Sequence, residues 1–135
     1  MIRTKRVHSG SNRSDGIRIL VDRIWPRGVS KRRARIHAWR KDLAPSTSLR
    51  KWFGHQTNRW LEFSRRYEAE LRRSGLIVEL VNLARSSRRR TITLLYGAAD
   101  EKHNQAVVLK KLIDKTRRTN ARKKHSSHDS RSDDS

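Results

Sequence analysis

Two short apolar runs, residues 17–22 and 91–96, are the clearest feature of the hydrophobic pattern. Both runs carry large apolar side chains on both faces, and polar residues and a glycine follow each of them. Strands that are buried on both faces are typical of the centre of a parallel sheet. The pattern therefore predicts two central parallel strands, with a weaker edge strand over residues 2–7.

Apolar residues recur at helical spacing over much of the remaining chain. Ser30 and Thr57 precede two of these segments and are predicted to act as helix caps. The predicted helices cover residues 31–42, 58–73, 76–86 and 101–115, with a further turn that starts at Ser46 or Ser48. The order strand, helices, strand, helix predicts a small layered α/β domain with a short, mainly parallel sheet flanked by helices.

The composition changes after residue 115. Residues 116–135 contain one alanine as their only apolar side chain. Such a segment buries too little apolar surface to offset the entropy of ordering it. We therefore expect an α/β domain over residues 1–115 and a disordered basic tail over residues 116–135.

The charge of the chain is strongly positive, with 34 Lys and Arg against 13 Asp and Glu, a net charge of +21. It is also uneven, since residues 1–60 carry 16 basic and 3 acidic side chains. A field of this size attracts nucleic acid and other polyanions. Arginine-rich codon usage explains the same charge equally well, so composition alone does not assign a polyanionic partner.

The residue types also exclude some classes of site. The chain has no cysteine, which excludes disulfides, thiolate nucleophiles and thiolate metal ligands. The first residues lack the apolar core of a signal peptide, and no apolar run reaches the roughly 18 residues that a membrane span needs. We therefore expect a cytoplasmic protein with no membrane contact, and the motifs predict no metal and no cofactor.

The residues that follow the first central strand predict an anion-binding site. Arg23 and Arg27 offer guanidinium groups suited to phosphate, and the predicted helix start at Ser30 adds backbone amides. Ligands of open α/β sheets bind outside the carboxyl ends of the strands, where these residues fall. In the alternative, the two arginines only fasten loops by pairing with Asp22 or Asp100. The other predicted ligand-binding residues are Trp25, Gly28, Tyr96 and Asn104.

The residues after the second central strand predict a possible acid–base group. If the two strands are parallel neighbours, His103 comes close to Asp22, and Asp100 lies on the same loop. A histidine beside a carboxylate can act as a general base. We therefore name His103, Asp22 and Asp100 as candidate catalytic residues. In the alternative, which we weigh ahead of catalysis, Asp100 only caps a helix and Asn104 bonds a loop carbonyl.

Three long motifs resemble a known family. They are Ile-Leu-Val-Asp-Arg-Ile-Trp-Pro-Arg-Gly-Val-Ser-Lys from residue 19, Leu-Ala-Pro-Ser-Thr-Ser-Leu-Arg-Lys-Trp-Phe-Gly-His from residue 43, and Thr-Leu-Leu-Tyr-Gly-Ala-Ala-Asp-Glu-Lys-His-Asn-Gln from residue 93. Their order and spacing over residues 1–115 resemble the YeaO-like family, the bacterial domain of unknown function number 488. The resemblance implies a small α/β domain. One departure is Gln105, where the family more often shows a second histidine.

Two functional hypotheses of different class follow from these residues. The first is a binding protein whose basic cleft holds a phosphate-bearing small molecule or nucleic acid. The second is a small enzyme that acts on a phosphorylated or nucleotide-like substrate, with His103 as the acid–base group. A scaffold without a small ligand is a third possibility that the sequence leaves open.

Overall fold

A computed structural model of the chain describes residues 1–118, which form a four-stranded parallel sheet covered by helices. The strands are β1 (Ile2–Arg6), β2 (Ile17–Leu20), β3 (Ala38–Trp39) and β4 (Ile92–Tyr96). Their spatial order is β1-β4-β2-β3, and all three pairs are parallel. The predicted fold class is confirmed, and so are the parallel pairing of the two central strands and the edge position of the first one.

Five helices surround the sheet. They are α1 (Lys31–Ala34), α2 (Thr47–Phe53), α3 (Trp60–Arg73), α4 (Ile77–Ser86) and α5, which covers residues 105–118. The predicted stripe of α3 is mostly buried, since Phe63, Tyr67 and Leu71 are each at most 2% exposed. The helices predicted over 58–73 and 76–86 are therefore present nearly over their predicted lengths.

The core lies on both faces of the sheet. Successive side chains of a strand point to opposite faces, so neighbouring residues of β2 and β4 enter different clusters. Ile19 and Leu94 pack in the larger cluster with residues of α2 to α5, whereas Leu20 and Leu95 pack in a smaller one with Ala34. This two-sided burial holds the central strands firmly and fixes where their carboxyl ends lie.

The helix predicted over residues 31–42 is wrong. Only α1 forms there, and Arg35 ends it in a left-handed conformation with φ of 46°. The chain then runs along β2 as the edge strand β3, where His37 N donates to Arg18 O and Arg40 N donates to Leu20 O, both at 2.8 Å. Without β3, the backbone groups of β2 on the side away from β4 would have no partner in the sheet. Pairing them stabilises the protein more than a longer helix in this segment would.

Two predicted helix starts are also wrong. Residues Thr57–Arg59 form a 3₁₀ turn, and α3 begins after it without a side-chain cap. The last helix begins at residue 105 instead of 101, because residues 101–104 form a turn held by Asp100. In both places a hydrogen-bonded turn precedes the regular helix, and hydrophobic spacing alone does not separate the two.

The last helix continues through residue 118, so residues 116–118 belong to it and not to the predicted tail. The rest of that predicted tail, residues 119–135, lies outside the described residues. Within residues 1–118, no helix combines the length and the apolar character that crossing a membrane requires.

A buried arginine fastens the segment around α1 to the sheet. Arg18 is 2% exposed, and its Nε and Nη2 atoms donate to the carbonyl of Ala34 at 2.9 and 2.8 Å. Its Nη1 atom donates to the carboxylate of Asp15, which also accepts from Lys5 Nζ. Burial would raise the pKa of Asp15, but these hydrogen bonds together hold it below its usual value. The sequence pattern treated this strand as apolar and missed the pair.

Candidate functional site

A cleft of about 880 Å³ opens at the carboxyl ends of β1, β2 and β4. The first residues beyond these strands form much of its wall, together with α2 and the start of α5. We call it the carboxyl-edge cleft, and it is lined by Arg6, His8, Asp22, Arg23, Ile24, Trp25, Pro26, Arg27, Ala44, Pro45, Arg50, Lys51, Phe53, Gly54, His55, Phe63, Gly97, Ala98, His103, Asn104 and Gln105.

Positive charge dominates the wall of this cleft. The wall contains one carboxylate, that of Asp22, and three histidines, His8, His55 and His103. The groups that stay cationic at neutral pH are Arg6, Arg23, Arg27, Arg50 and Lys51. An excess of cations in a concave site focuses the electrostatic field, so the potential inside the cleft is positive.

Asp22 is held inside the cleft by neighbouring hydrogen-bond donors. Its Oδ2 atom accepts from Gly97 N at 2.9 Å, and its Oδ1 atom accepts from the side chain of Gln105. Burial raises the pKa of Asp22 from 3.8 to about 6, although these hydrogen bonds and the charges of His8 and Arg50 act in the opposite direction. The carboxylate therefore links the end of β2 to the end of β4, and its pKa of about 6 lies well above that of an ordinary aspartate.

Gly97 is required at the end of β4 by close packing. A Cβ atom at this position would lie 2.7 Å from Asp22 Oδ2 and 3.0 Å from Pro26 Cβ. Both distances are too short for a normal contact. Only glycine lets the backbone amide reach the half-buried carboxylate, so the glycine after the second strand serves the site directly.

Arg23 and Arg27 both line the cleft but have different surroundings. Arg23 donates from Nε to Pro45 O at 3.0 Å and from Nη2 to Ala44 O at 3.4 Å. Arg27 is exposed, and its backbone carbonyl accepts from His8 Nε2 at 3.0 Å. Among the described residues, neither guanidinium pairs with Asp22 or with any other carboxylate. The carboxylate pairing named in the alternative is therefore absent among the described residues, although Arg23 fastens the loop before α2 through backbone carbonyls.

The turn that follows β2 contributes to the site only in part. Trp25 lies in the wall of the cleft, and its Nε1 atom donates to Val29 O at 2.7 Å. Gly28 adopts a φ of +79°, which favours glycine, and Ser30 caps α1. Neither Gly28 nor Ser30 is part of the wall, so the expected contribution of the helix start lies outside the cleft.

Asp100 and His103 form a hydrogen-bonded pair at the rim. His103 Nδ1 lies 2.9 Å from Asp100 Oδ2, and Trp60 packs edge-on against the imidazole at 5.2 Å between ring centres. The backbone amide of Lys102, the His103 side chain and the His103 amide donate to Asp100 and hold its pKa below the usual value. His103 lines the cleft, whereas Asp100 does not.

Asn104, and not Asp100, caps the last helix. Its Oδ1 atom accepts from Val107 N at 3.1 Å, and its Nδ2 atom donates to Asp100 O at 2.9 Å. The expectation that Asn104 bonds a loop carbonyl is confirmed, and the helix cap predicted at Asp100 is corrected. Tyr96 is 3% exposed, does not line the cleft, and has a pKa raised by burial.

Sequence reasoning missed several residues of the wall. Arg6 ends β1 at the same edge as Asp22, and the edge strand could have indicated it, because the carboxyl ends of parallel strands meet. Arg50 and Lys51 reach the cleft from α2, and no local pattern marks them. Gln105 was noted only as a departure from a family pattern, yet it is a direct partner of Asp22. Within residues 1–118, no group of three or more His, Asp or Glu side chains is arranged to hold a metal ion.

Comparison with known proteins places the chain in a family. A family model described as the inactive DUF488-N3 subclade matches residues 1–131. The uncharacterised protein YeaO of Escherichia coli K12 is 41% identical over 108 residues, which cover 80% of this chain and 92% of that protein. The chain belongs to the YeaO-like DUF488 family.

Other members of the family are found in mycobacteria. The uncharacterised protein Rv3073c of Mycobacterium tuberculosis H37Rv and the uncharacterised protein Mb3100c of Mycobacterium bovis are each 39% identical over 112 residues. These matches cover 83% of this chain and 92% of either relative. No solved structure matches the chain.

Proposed function

We propose that this protein binds a phosphate-bearing ligand in the carboxyl-edge cleft and does not convert it chemically. The observation that carries the proposal is the charge of the wall, with five permanent cations against one carboxylate. Arginine is suited to bidentate contact with phosphate oxygens, and charge-assisted hydrogen bonds of this kind are the stronger ones. Asp22 is the one carboxylate of the wall, and the five cations outweigh its charge.

The apolar part of the wall favours a ligand that also carries a flat ring. Trp25 lines the cleft together with the cations and is partly exposed, whereas Phe53 and Phe63 reach the cleft from the buried core. Aromatic side chains offer stacking surfaces to a planar ring, whereas inorganic phosphate needs none. A volume of about 880 Å³ lies within the usual range for small-molecule sites. A mononucleotide combines the phosphate and the ring that this wall would hold.

The comparisons and Gln105 support binding rather than catalysis. The family model that matches the chain is described as inactive. The side-chain partner of the half-buried Asp22 is a glutamine amide, which does not exchange protons near neutral pH. The chain also has no cysteine nucleophile. The cleft therefore has the cations that binding a phosphate needs, but it lacks a cysteine nucleophile and a proton-exchanging partner for Asp22.

A second candidate function, a small enzyme acting on a phosphorylated substrate, is favoured by the pair at the rim. Asp100 holds His103 Nδ1, and the imidazole lines the same cleft as the cations. A base oriented by a carboxylate is a common arrangement for proton transfer. The enzyme hypothesis predicts slow turnover that His103→Ala abolishes while binding persists.

Calorimetric titration of the full chain with a 5′-mononucleotide tests the binding proposal. Arg27→Gln and Arg50→Gln should each weaken binding by about tenfold or more, because each removes one charge-assisted contact. Arg72→Gln is the control, since Arg72 lies outside the wall and pairs with Glu68 on the surface of α3. Equal affinities in all four proteins, or no binding by the wild type, would refute the proposal.

Turnover is measured in the same samples. After incubation with the wild type, the mononucleotide should remain intact, as measured by chromatography. Release of base or phosphate by the wild type, lost in His103→Ala, would replace the binding proposal with the enzyme hypothesis.

A further inference from the structure

A second basic groove takes residues from two segments that also line the carboxyl-edge cleft. It has a volume of about 510 Å³ and is lined by Gly10, Ser11, Arg32, Arg33 and Arg35. We call it the arginine groove. The loop after β1 and the segment from the β2 turn to α1 border both sites, since each site takes residues from both segments. The two segments are joined where His8 Nε2 donates to the carbonyl of Arg27 at 3.0 Å.

The arginines of this groove are available to a ligand. Arg32, Arg33 and Arg35 are exposed, and none of their guanidinium groups forms an ion pair within residues 1–118. No acidic residue lines the groove. By contrast, Arg40, which lies five positions after Arg35 in the sequence, is paired with Asp42 and Glu79. Unpaired cations that converge on one groove are the expected footprint of a polyanion backbone.

We propose that the carboxyl-edge cleft receives one nucleotide of a single-stranded nucleic acid and that the arginine groove holds the phosphates of the neighbouring nucleotides. This inference rests on the proposed function, because it assumes that the cleft binds a nucleotide. It goes further by assigning a polymer as the ligand. Arg32 is five positions after Arg27, so their Cα atoms lie within about 18 Å. A strand of a few nucleotides spans that distance.

The shape of the cleft assigns a single strand rather than a duplex. Trp25 lies in the wall, and Lys31 Nζ is 5.8 Å from the centre of its ring on the way to the arginine groove. A base enters a concave site of this kind only when it is unpaired and unstacked, as in proteins that stack bases on aromatic side chains. A duplex would have to give up a base pair to do the same.

Fluorescence anisotropy with labelled oligothymidylates of 3, 6 and 12 nucleotides, together with competition by thymidine 5′-monophosphate, tests the inference. The variant Arg32→Gln/Arg33→Gln removes two cations of the groove. The matched control Arg89→Gln/Arg90→Gln removes two exposed cations that precede β4, at the opposite edge of the sheet. All measurements use the full chain at several salt concentrations.

The groove variant should weaken binding of the longer strands by about 25-fold at 0.1 M salt and lower the salt slope by about 1.4, since each phosphate contact to a single strand contributes about 0.7 to the slope. Its affinity for the monophosphate should stay within about twofold of the wild type. The control should bind all ligands like the wild type, because Arg89 and Arg90 line neither the cleft nor the groove.

The failures are distinguishable. In one outcome, the monophosphate binds and Arg50→Gln weakens that binding, but longer strands bind no more tightly than the monophosphate and bind the groove variant as well as the wild type. This result would refute the polymeric ligand and leave the proposed function standing. If no ligand responds to Arg50→Gln, both are refuted. If a duplex of the same length binds as tightly as the single strand, the assignment of a single strand is wrong.

Discussion

At the scale of single residues, Asp22 is the unusual member of the cleft. It is the one carboxylate among the residues that line it, and burial raises its pKa to about 6. The backbone amide of Gly97 and the amide of Gln105 stabilise the ionised form but do not offset the loss of solvent. The charge of the site therefore changes over a pH range that a cell can reach.

The first prediction concerns Asp22→Asn. The pKa of Asp22 in the folded protein, about 6, lies above the ordinary value of 3.8. Between these two pH values the folded state therefore binds more protons than the unfolded state. The free energy of unfolding of the wild type consequently falls as the pH rises from about 4 to 6. The asparagine variant lacks this loss. Its free energy of unfolding relative to wild type should rise by about 2 to 3 kcal/mol over that range. Urea denaturation at pH 4, 5, 6 and 7.5 measures the difference.

The same pair of proteins should differ in anion affinity. Above pH 6 the ionised Asp22 repels a phosphodiester, so Asp22→Asn should bind a dinucleotide more tightly there, and the two proteins should converge near pH 4.5. His8, His55 and His103 also face the cleft but are common to both proteins. A constant ratio of affinities from pH 4.5 to 7.5 would show that Asp22 does not titrate in this range.

At the scale of elements, side chains that bond backbone carbonyls hold the short segments around the site. Arg18 binds the carbonyl of Ala34 at the end of α1, and Arg23 binds that of Pro45 before α2. The hydroxyl of Tyr67 on α3 donates to Leu43 O in the same stretch. Short helices have little stability of their own, so these contacts decide where α1 and α2 present their cations.

The second prediction concerns Arg18→Met. The substitution removes the hydrogen bonds to Ala34 and leaves the buried carboxylate of Asp15 with Lys5 as its remaining cation. Breaking a buried ion pair from one side costs about 3 to 5 kcal/mol. Urea denaturation at pH 7 should show a loss of this size. The double variant Asp15→Asn/Arg18→Met should recover part of it, and full stability of the single variant would contradict a structural role for the pair.

The third prediction concerns the cap of α5. Asn104→Ala removes the acceptor of Val107 N and the donor to Asp100 O, and should lower the free energy of unfolding by about 1 to 2 kcal/mol. Asn104→Ser keeps an oxygen at the cap position and should recover about half of the loss. Thermal denaturation followed by circular dichroism compares the three proteins, and equal midpoints would show that Asn104 does not stabilise the helix.

At the scale of the whole molecule, the carboxyl edge of the sheet gathers cations from distant parts of the chain. Arg6 comes from the end of β1, Arg23 follows β2, and Arg50 belongs to α2. The net charge of +21 also repels itself, which opposes folding at low salt. Anions should therefore stabilise this protein in two ways, by general screening and by occupation of the cleft.

The fourth prediction separates these two effects. At equal ionic strength, phosphate should raise the melting temperature more than chloride, because a ligand that binds the folded state adds about 2.7 kcal/mol at 100 times its dissociation constant. In Arg27→Gln/Arg50→Gln the difference between the salts should disappear while the screening effect persists. An equal response of wild type and variant would show that phosphate acts only on the overall charge.

The sequence predicted the sheet better than it predicted the segments at its edge. Residues 17–22 and 91–96 are apolar on both faces, and such runs have few alternatives to central strands. Residues 31–42 carry helical spacing, yet Ala38 and Trp39 pair with β2 because that strand needed a partner. Arg23, Arg27, Trp25 and His103 follow strands and could be placed at the cleft. Arg50 and Lys51 could not, since α2 reaches the site only through packing.

The amino-acid sequence by itself determined the α/β class, the parallel central strands and the family, because these depend on local apolar patterns and on long motifs. Only the tertiary structure decided which charges share a cleft and which partners they have. Gln105 reaches Asp22 across 83 positions of sequence, and Arg18 is buried within an apolar strand. Contacts of this kind arise from the packing of distant segments, and hydrophobic periodicity carries no information about them.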